Sequence, residues 1–117
     1  DEAFAGLPVI TPLAAEKNVK HGRHLYNILL DLNKLKVNRD KFQGALHGEN
    51  IGSGIHFIAV HLHKFYRENL GYKRGSFPNA EFISDRTISL PLSSKLTDQD
   101  VNDVICAVEK LCKFYSK

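Results

Sequence analysis

His56 sits near the end of the run Ile51-Gly52-Ser53-Gly54-Ile55-His56-Phe57, in which glycine alternates with larger residues. Side chains along a strand point alternately to its two faces. Ile51, Ile55 and Phe57 would share one face, suited to packing on a helix. Gly52, Gly54 and His56 would share the other, which is bare apart from the imidazole. Glycines on one strand face leave room for a ligand or a second backbone to approach closely. His56 is therefore a candidate hydrogen-bond donor to an anionic ligand, and the glycines would clear the space beside it. A structural histidine, with glycines that only fit a helix or a neighbouring domain, is the competing reading. A phosphate loop is rejected, because no Gly-Lys-Ser/Thr follows and the glycines do not turn into a helix.

His61 and His63 would project about 200° apart on a helix, and no carboxylate stands at supporting spacing, so no metal site is expected. Neither serine nor cysteine lies in a nucleophile motif. Tyr66, Arg67, Tyr72, Lys73 and Arg74 form an aromatic and basic cluster around a glycine-containing loop. It reads equally as a solvated loop or as a rim that touches phosphate or a partner. Arg86 could serve a carboxylate or phosphate, but a surface ion pair is the favoured reading.

These residues need a frame. His24 to Leu32 is a strand with apolar residues on both faces, hence a central one. Asn38 is a helix N-cap, with Phe42, Ala45 and Leu46 on one face and Gly48 as a left-handed C-cap. The 51–57 run is the second strand. Val60 to Leu70 forms a short helix ending at Gly71, and Tyr72 to Pro78 a loop. Asn79 to Asp85 forms another helix, with Ala80 and Ile83 facing inward. Ile88, Leu90 and Leu92 alternate in a third strand, with Pro91 at its end or edge. Thr97 caps the last helix, and Asp98 and Asp100 favour its positive end. Its buried stripe comprises Val101, Val104, Ile105, Val108, Leu111, Cys112 and Tyr115. Residues 1–20, punctuated by Pro8 and Pro12, read as a lead-in segment or the stub of a helix from an upstream domain. Residues 21–117 form one α/β domain (α+β), a sheet of about three strands covered by helices.

The chain has 117 residues, 43% of them hydrophobic and 25% charged. That is globular composition, enough for one core. Sixteen Lys and Arg against thirteen Asp and Glu give +3, but the excess is scattered and no nucleic-acid partner is expected. No apolar run approaches the ~20 residues of a membrane span. Cys106 and Cys112 lie too far apart on one helix for a disulfide and read as reduced, buried residues of a reducing compartment. The chain has no methionine and starts at Asp1. Chance with processing, and a piece of a longer protein, are both open on that ground.

Several segments in order carry a resemblance. They are His24-Leu25-Tyr26, Gly52 to Phe57, His61 to Arg67, Leu70 to Glu81, Ser89-Leu90-Pro91-Leu92, and the Leu-Thr-Asp-Gln-Asp-Val helix start at 96–101. Together they resemble the C-terminal small domain of the DegT/DnrJ/StrS sugar-nucleotide aminotransferases, pyridoxal phosphate (PLP) enzymes of the aspartate-aminotransferase fold (fold type I). Phe57 and Phe65-Tyr66-Arg67-Glu68 resemble the branch that makes UDP-4-amino-4-deoxy-arabinose, used in lipid A modification.

The resemblance implies a cytoplasmic homodimer whose absent large domain holds PLP on a lysine. It implies amino transfer from glutamate to a nucleotide-linked keto-sugar. His56 matches a family histidine on the substrate side, near the nucleotide diphosphate. Tyr66 and the Tyr72–Ser76 loop match segments near the substrate entrance. Phe57 stands where the family often has Tyr, so a hydroxyl contact there is lost. No lysine matches the Schiff-base lysine, so the chain alone is expected to be inactive and to bind no PLP. It should also expose an apolar face that normally packs on the large domain. A free-standing, non-catalytic α/β binding module and a PLP-dependent dehydratase relative are the alternatives.

Overall fold

The computed structural model describes residues 1–117. Three short strands form one sheet in the order β1-β2-β3, both pairings antiparallel: β1 (Val9–Ile10), β2 (Tyr26–Leu30) and β3 (Thr87–Leu90). Four α-helices accompany it: α1 (Arg39–Gly48), α2 (Lys64–Leu70), α3 (Pro78–Ser84) and α4 (Asp98–Tyr115). No helix is long and apolar enough to cross a membrane.

The β2–β3 register sorts side chains between two faces. Ile28 pairs with Ile88 and Tyr26 with Leu90, while Asn27 pairs with Ser89 and Leu29 with Thr87. Ile28, Leu30, Ile88 and Leu90 bury against Phe42 and Leu46 of α1 and Val108, Leu111 and Cys112 of α4. That is the single core, and α1 and α4 cover one sheet face. Asn27, Leu29, Thr87 and Ser89 belong to the other.

Helix boundaries follow the caps. The Asn38 side chain accepts from the Lys41 N–H at 2.9 Å. Thr97 and Asp100 form a reciprocal capping box, with Thr97 N–H donating to Asp100 at 2.7 Å and Asp100 N–H to Thr97 Oγ1 at 3.2 Å. Two first-turn donors of α4 find partners in this way. Gly71, at φ +70°, ends α2 in the left-handed conformation that glycine adopts without a Cβ clash. Gly48 does end α1, but the left-handed residue is Asn50, at φ +62°.

Several expectations need correction. Residues 4–10 join the fold, with Phe4 in the core and Val9 paired with Leu30, while residues 13–20 are exposed and form no strand or helix. The 51–57 run is not a second strand. It is extended chain joined to the outer edge of β3 at one bridge, Gly54 with Ser89. Phe57 therefore packs on no helix and is 74% exposed. The 60–70 helix is broken at His63 into a short turn, Val60–Leu62, and α2. On α3 the buried residues are Glu81 and Ser84, while Ile83 is exposed. On α4, Val101 is exposed and Val104 and Ile105 are half-buried. Cys112 is buried, but Cys106 is exposed, because it lies off the core-facing stripe. Arg86 stacks its guanidinium 4.0 Å over the Phe82 ring and donates to the Phe82 carbonyl, rather than forming an ion pair.

Candidate functional site

The sheet face turned away from α1 and α4 is polar at its centre. Ser89 Oγ donates to Asn27 Oδ1 at 2.6 Å, across the β2–β3 pair. His56 Nδ1 lies 2.6 Å from the same Ser89 Oγ. The backbone puts the ring there. Gly54 N–H donates to the Ser89 carbonyl at 3.0 Å, and Ser89 N–H returns to the Gly54 carbonyl at 2.8 Å. That reciprocal pair fixes the chain two residues before His56, and the imidazole folds back over it. A Cβ at Gly54 would lie 2.8 Å from His56 Cε1, closer than real Cβ contacts come. Gly54 thus makes room for the His56 ring itself rather than for a ligand beside it, and nothing lies near a Cβ built at Gly52. Beyond His56, the Ala59 N–H donates to the buried Ser84 Oγ of α3 at 2.9 Å, which anchors the far end of the segment.

His56 lines a cleft of about 570 Å³ between this sheet face and the long β1–β2 connection. Arg23, His21, His24, Asn27 and Thr87 also line it. Ile10, Leu13, Leu25, Leu29 and Ile83 make most of the wall apolar, while Arg23, Asn27 and the three histidines supply a few polar points, the usual make-up of a ligand pocket. His21 is oriented by its own backbone, because its Nδ1 accepts from the Arg23 N–H at 3.0 Å.

Tyr66 and Tyr72 do not line this cleft. Tyr72 lines a separate concavity with Arg67, Lys73 and Arg74, which brings most of the aromatic and basic cluster together. Tyr66 is half-buried on α2, its ring 5.5 Å from that of Phe65.

The loop carrying Tyr72 is organised by a buried carboxylate that the sequence reading missed. Glu81 is 7% exposed and His61 5% exposed. His61 Nε2 donates to Glu81 Oε1 at 2.8 Å. The Gly75 N–H donates to both carboxylate oxygens at 2.8 and 3.0 Å, and the Phe77 N–H at 3.3 Å. Burial pushes the Glu81 carboxyl up, but the hydrogen bonds from His61, Gly75 and Phe77 outweigh it and hold the group below the usual carboxylate range. Arg74 forks onto Asp85 at 2.7 and 3.2 Å, and this raises its already high pKa. The Phe77 ring stacks edge-on with both His61 and Tyr72. Asn27, Ser89 and Arg23 were missed as well. The available signal was a polar residue inside each of two apolar strands.

A Schiff-base lysine must be enclosed so that desolvation lowers its pKa. Every lysine of this chain is exposed, and none lines the His56 cleft. The residues present do not fit a covalently held PLP.

A three-stranded antiparallel sheet with helices on one face and a cleft on the other defines a small α/β domain. Its relatives identify the type. The chain belongs to the DegT/DnrJ/EryC1/StrS aminotransferase family, whose model matches residues 1–109. It is 49% identical over 111 residues to protein MJ1066 of Methanocaldococcus jannaschii, covering 95% of this chain and 29% of that protein. It is 43% identical over 113 residues to the spore coat polysaccharide biosynthesis protein SpsC of Bacillus subtilis, covering 95% of this chain and 29% of that one. The PMP-form structure of the putative sugar aminotransferase Spr1654 from Streptococcus pneumoniae superposes with a TM-score of 0.85 at 27% identity, over 97% of this chain and 28% of that chain. The fold is therefore that of an aminotransferase small domain. The chain spans less than a third of the length of the curated relatives it matches.

Proposed function

We propose that the chain is the C-terminal domain of a longer PLP-dependent aminotransferase that moves an amino group from glutamate to a nucleotide-linked keto-sugar. The observation that carries this reading is the cleft at His56, where Arg23, His21, His24 and Asn27 are set in an otherwise apolar wall, on a domain of the sugar aminotransferase fold. Residues outside this chain hold PLP, which supplies the carrier for the amino group. This domain contributes one wall of the sugar-nucleotide site. His56 contacts the substrate from the segment beside β3, with the cationic Arg23 in the same cleft. Tyr72, with Arg67 and Lys73, forms a second wall near the entrance, and Tyr66 supports it from α2. Phe57, Ile58, Val60 and Phe65, all exposed here, pack on the rest of the protein. The whole enzyme works as a cytoplasmic homodimer. The Phe57 and Phe65–Glu68 positions favour the UDP-4-amino-4-deoxy-arabinose branch, hence lipid A modification.

The experiment is an assay of the full-length protein. With glutamate and a UDP-linked 4-keto-sugar it should release 2-oxoglutarate in step with amino-sugar formation. Production of a deoxygenated sugar with no transfer from glutamate would assign it to a dehydratase relative. A full-length protein that binds no PLP would overturn the reading.

A further inference from the structure

The hydrogen-bond chain Asn27–Ser89–His56 has a direction. A carboxamide oxygen only accepts, and a serine hydroxyl has one proton to give. Ser89 Oγ gives that proton to Asn27 Oδ1 at 2.6 Å. The 2.6 Å contact between His56 Nδ1 and Ser89 Oγ then forms only if Nδ1 carries a hydrogen and donates. In the neutral ring the proton is therefore on Nδ1, and Nε2 keeps a lone pair.

Nothing in the protein uses that lone pair, because the one hydrogen bond of the His56 ring is made through Nδ1. Nor is it sealed in: Arg39 Nη1 is the only buried side-chain nitrogen or oxygen left without a partner, so Nε2 is open to solvent. His56 lines the cleft, and the absence of a side chain at Gly54 gives its ring room.

We infer that Asn27 and Ser89 are positioning residues that hold His56 in its Nδ1–H tautomer, so that His56 Nε2 accepts a hydrogen bond from a ligand hydroxyl rather than donating one to a phosphate. This rests on the reading that a nucleotide sugar occupies the cleft, and it names the part of that ligand His56 meets: a sugar hydroxyl. The phosphates are left to Arg23, whose guanidinium is always charged and donates only.

The test is the tautomer itself, read by long-range ¹H–¹⁵N correlation of the imidazoles in mildly alkaline buffer. His56 is assigned by the signals lost in His56→Gln. The wild-type chain should show Nδ1 protonated and Nε2 bare in nearly all molecules. Ser89→Ala keeps the backbone pairing with Gly54 but removes the relay, and the Nδ1–H fraction should fall to a minority. Asn27→Asp removes the amide NH2 but keeps an acceptor oxygen for Ser89 Oγ and should keep Nδ1–H. A wild-type His56 protonated on Nε2 overturns the inference. So does an Asn27→Asp chain that switches tautomer, or a Ser89→Ala chain that does not. None of these readings involves substrate. A failed tautomer test therefore leaves the nucleotide-sugar reading standing, and loss of that reading leaves the tautomer measurement valid.

Discussion

Ser84→Ala removes one hydroxyl and almost no volume, yet it should be among the more damaging small changes in the chain. Ser84 is 4% exposed and Ala59 8% exposed, and the Ala59 N–H has the Ser84 hydroxyl as its partner at 2.9 Å. Alanine at 84 leaves a buried donor without an acceptor. The cost is about 1–3 kcal/mol, well above the net value of an ordinary hydrogen bond. Total stability is about 5–15 kcal/mol for a domain of this kind. A urea m-value of about 1–3 kcal/mol/M turns the loss into a midpoint shift of roughly 1 M with unchanged slope. The same change should speed hydrogen exchange at the Ala59 amide more than at the core amides of β2, because it frees the segment carrying His56 without touching the α1–α4 side. Ser94→Ala, at an exposed site, is the control and should stay within about 0.5 kcal/mol. A Ser84→Ala midpoint equal to wild type, with unchanged Ala59 exchange, would refute the reasoning.

Thr97→Ala removes one half of the α4 capping box and should cost about 1 kcal/mol, read as a lowered midpoint in urea. The Glu81 carboxyl is held below its ordinary value of 4.5, and Asp100, accepting from Thr97, below its ordinary 3.8. In each case folding favours the ionised form. Their stabilisation is complete above those ordinary values and is lost as pH falls through the lower folded-state values. Glu81→Gln should flatten the acid limb of a stability–pH profile, and an unchanged limb would count against the buried carboxylate. Burial, reinforced by Glu109, pushes the Cys112 thiol up to about 11. A disulfide reagent at neutral pH should therefore modify Cys106 quickly and Cys112 only on unfolding; two fast thiols would contradict the placement of Cys112.

What the sequence discloses depends on how local the cause is. The caps at Asn38 and Thr97 act over three residues and are readable from residue type alone. The apolar stripe runs from Val101 to Tyr115 of an eighteen-residue helix, and its inner members Val108, Leu111 and Cys112 are buried as expected. β1 has two residues and no period to read. The 51–57 run alternates like a strand, but alternation marks extended chain and not pairing. Only Gly54 forms a strand bridge, because the chain leaves the edge of β3 for Ser84. Glu81 looks like a solvent-facing residue of a short helix, yet its partners are His61 and the turn N–H groups at 75 and 77. The relay to His56 joins positions 27, 56 and 89, which no window of sequence brings together. Glycine at 54 marks a close approach as expected, but what approaches is the His56 ring itself, 2.8 Å from where a Cβ would stand.

The most direct measurement is steady-state kinetics of the full-length protein carrying His56→Ala, with the two half-reactions followed separately. A cleft that holds the nucleotide sugar predicts a raised KM for that substrate with the glutamate half-reaction nearly unchanged. Equal effects on both half-reactions, or none on either, would contradict the assignment of His56 to the sugar-nucleotide site.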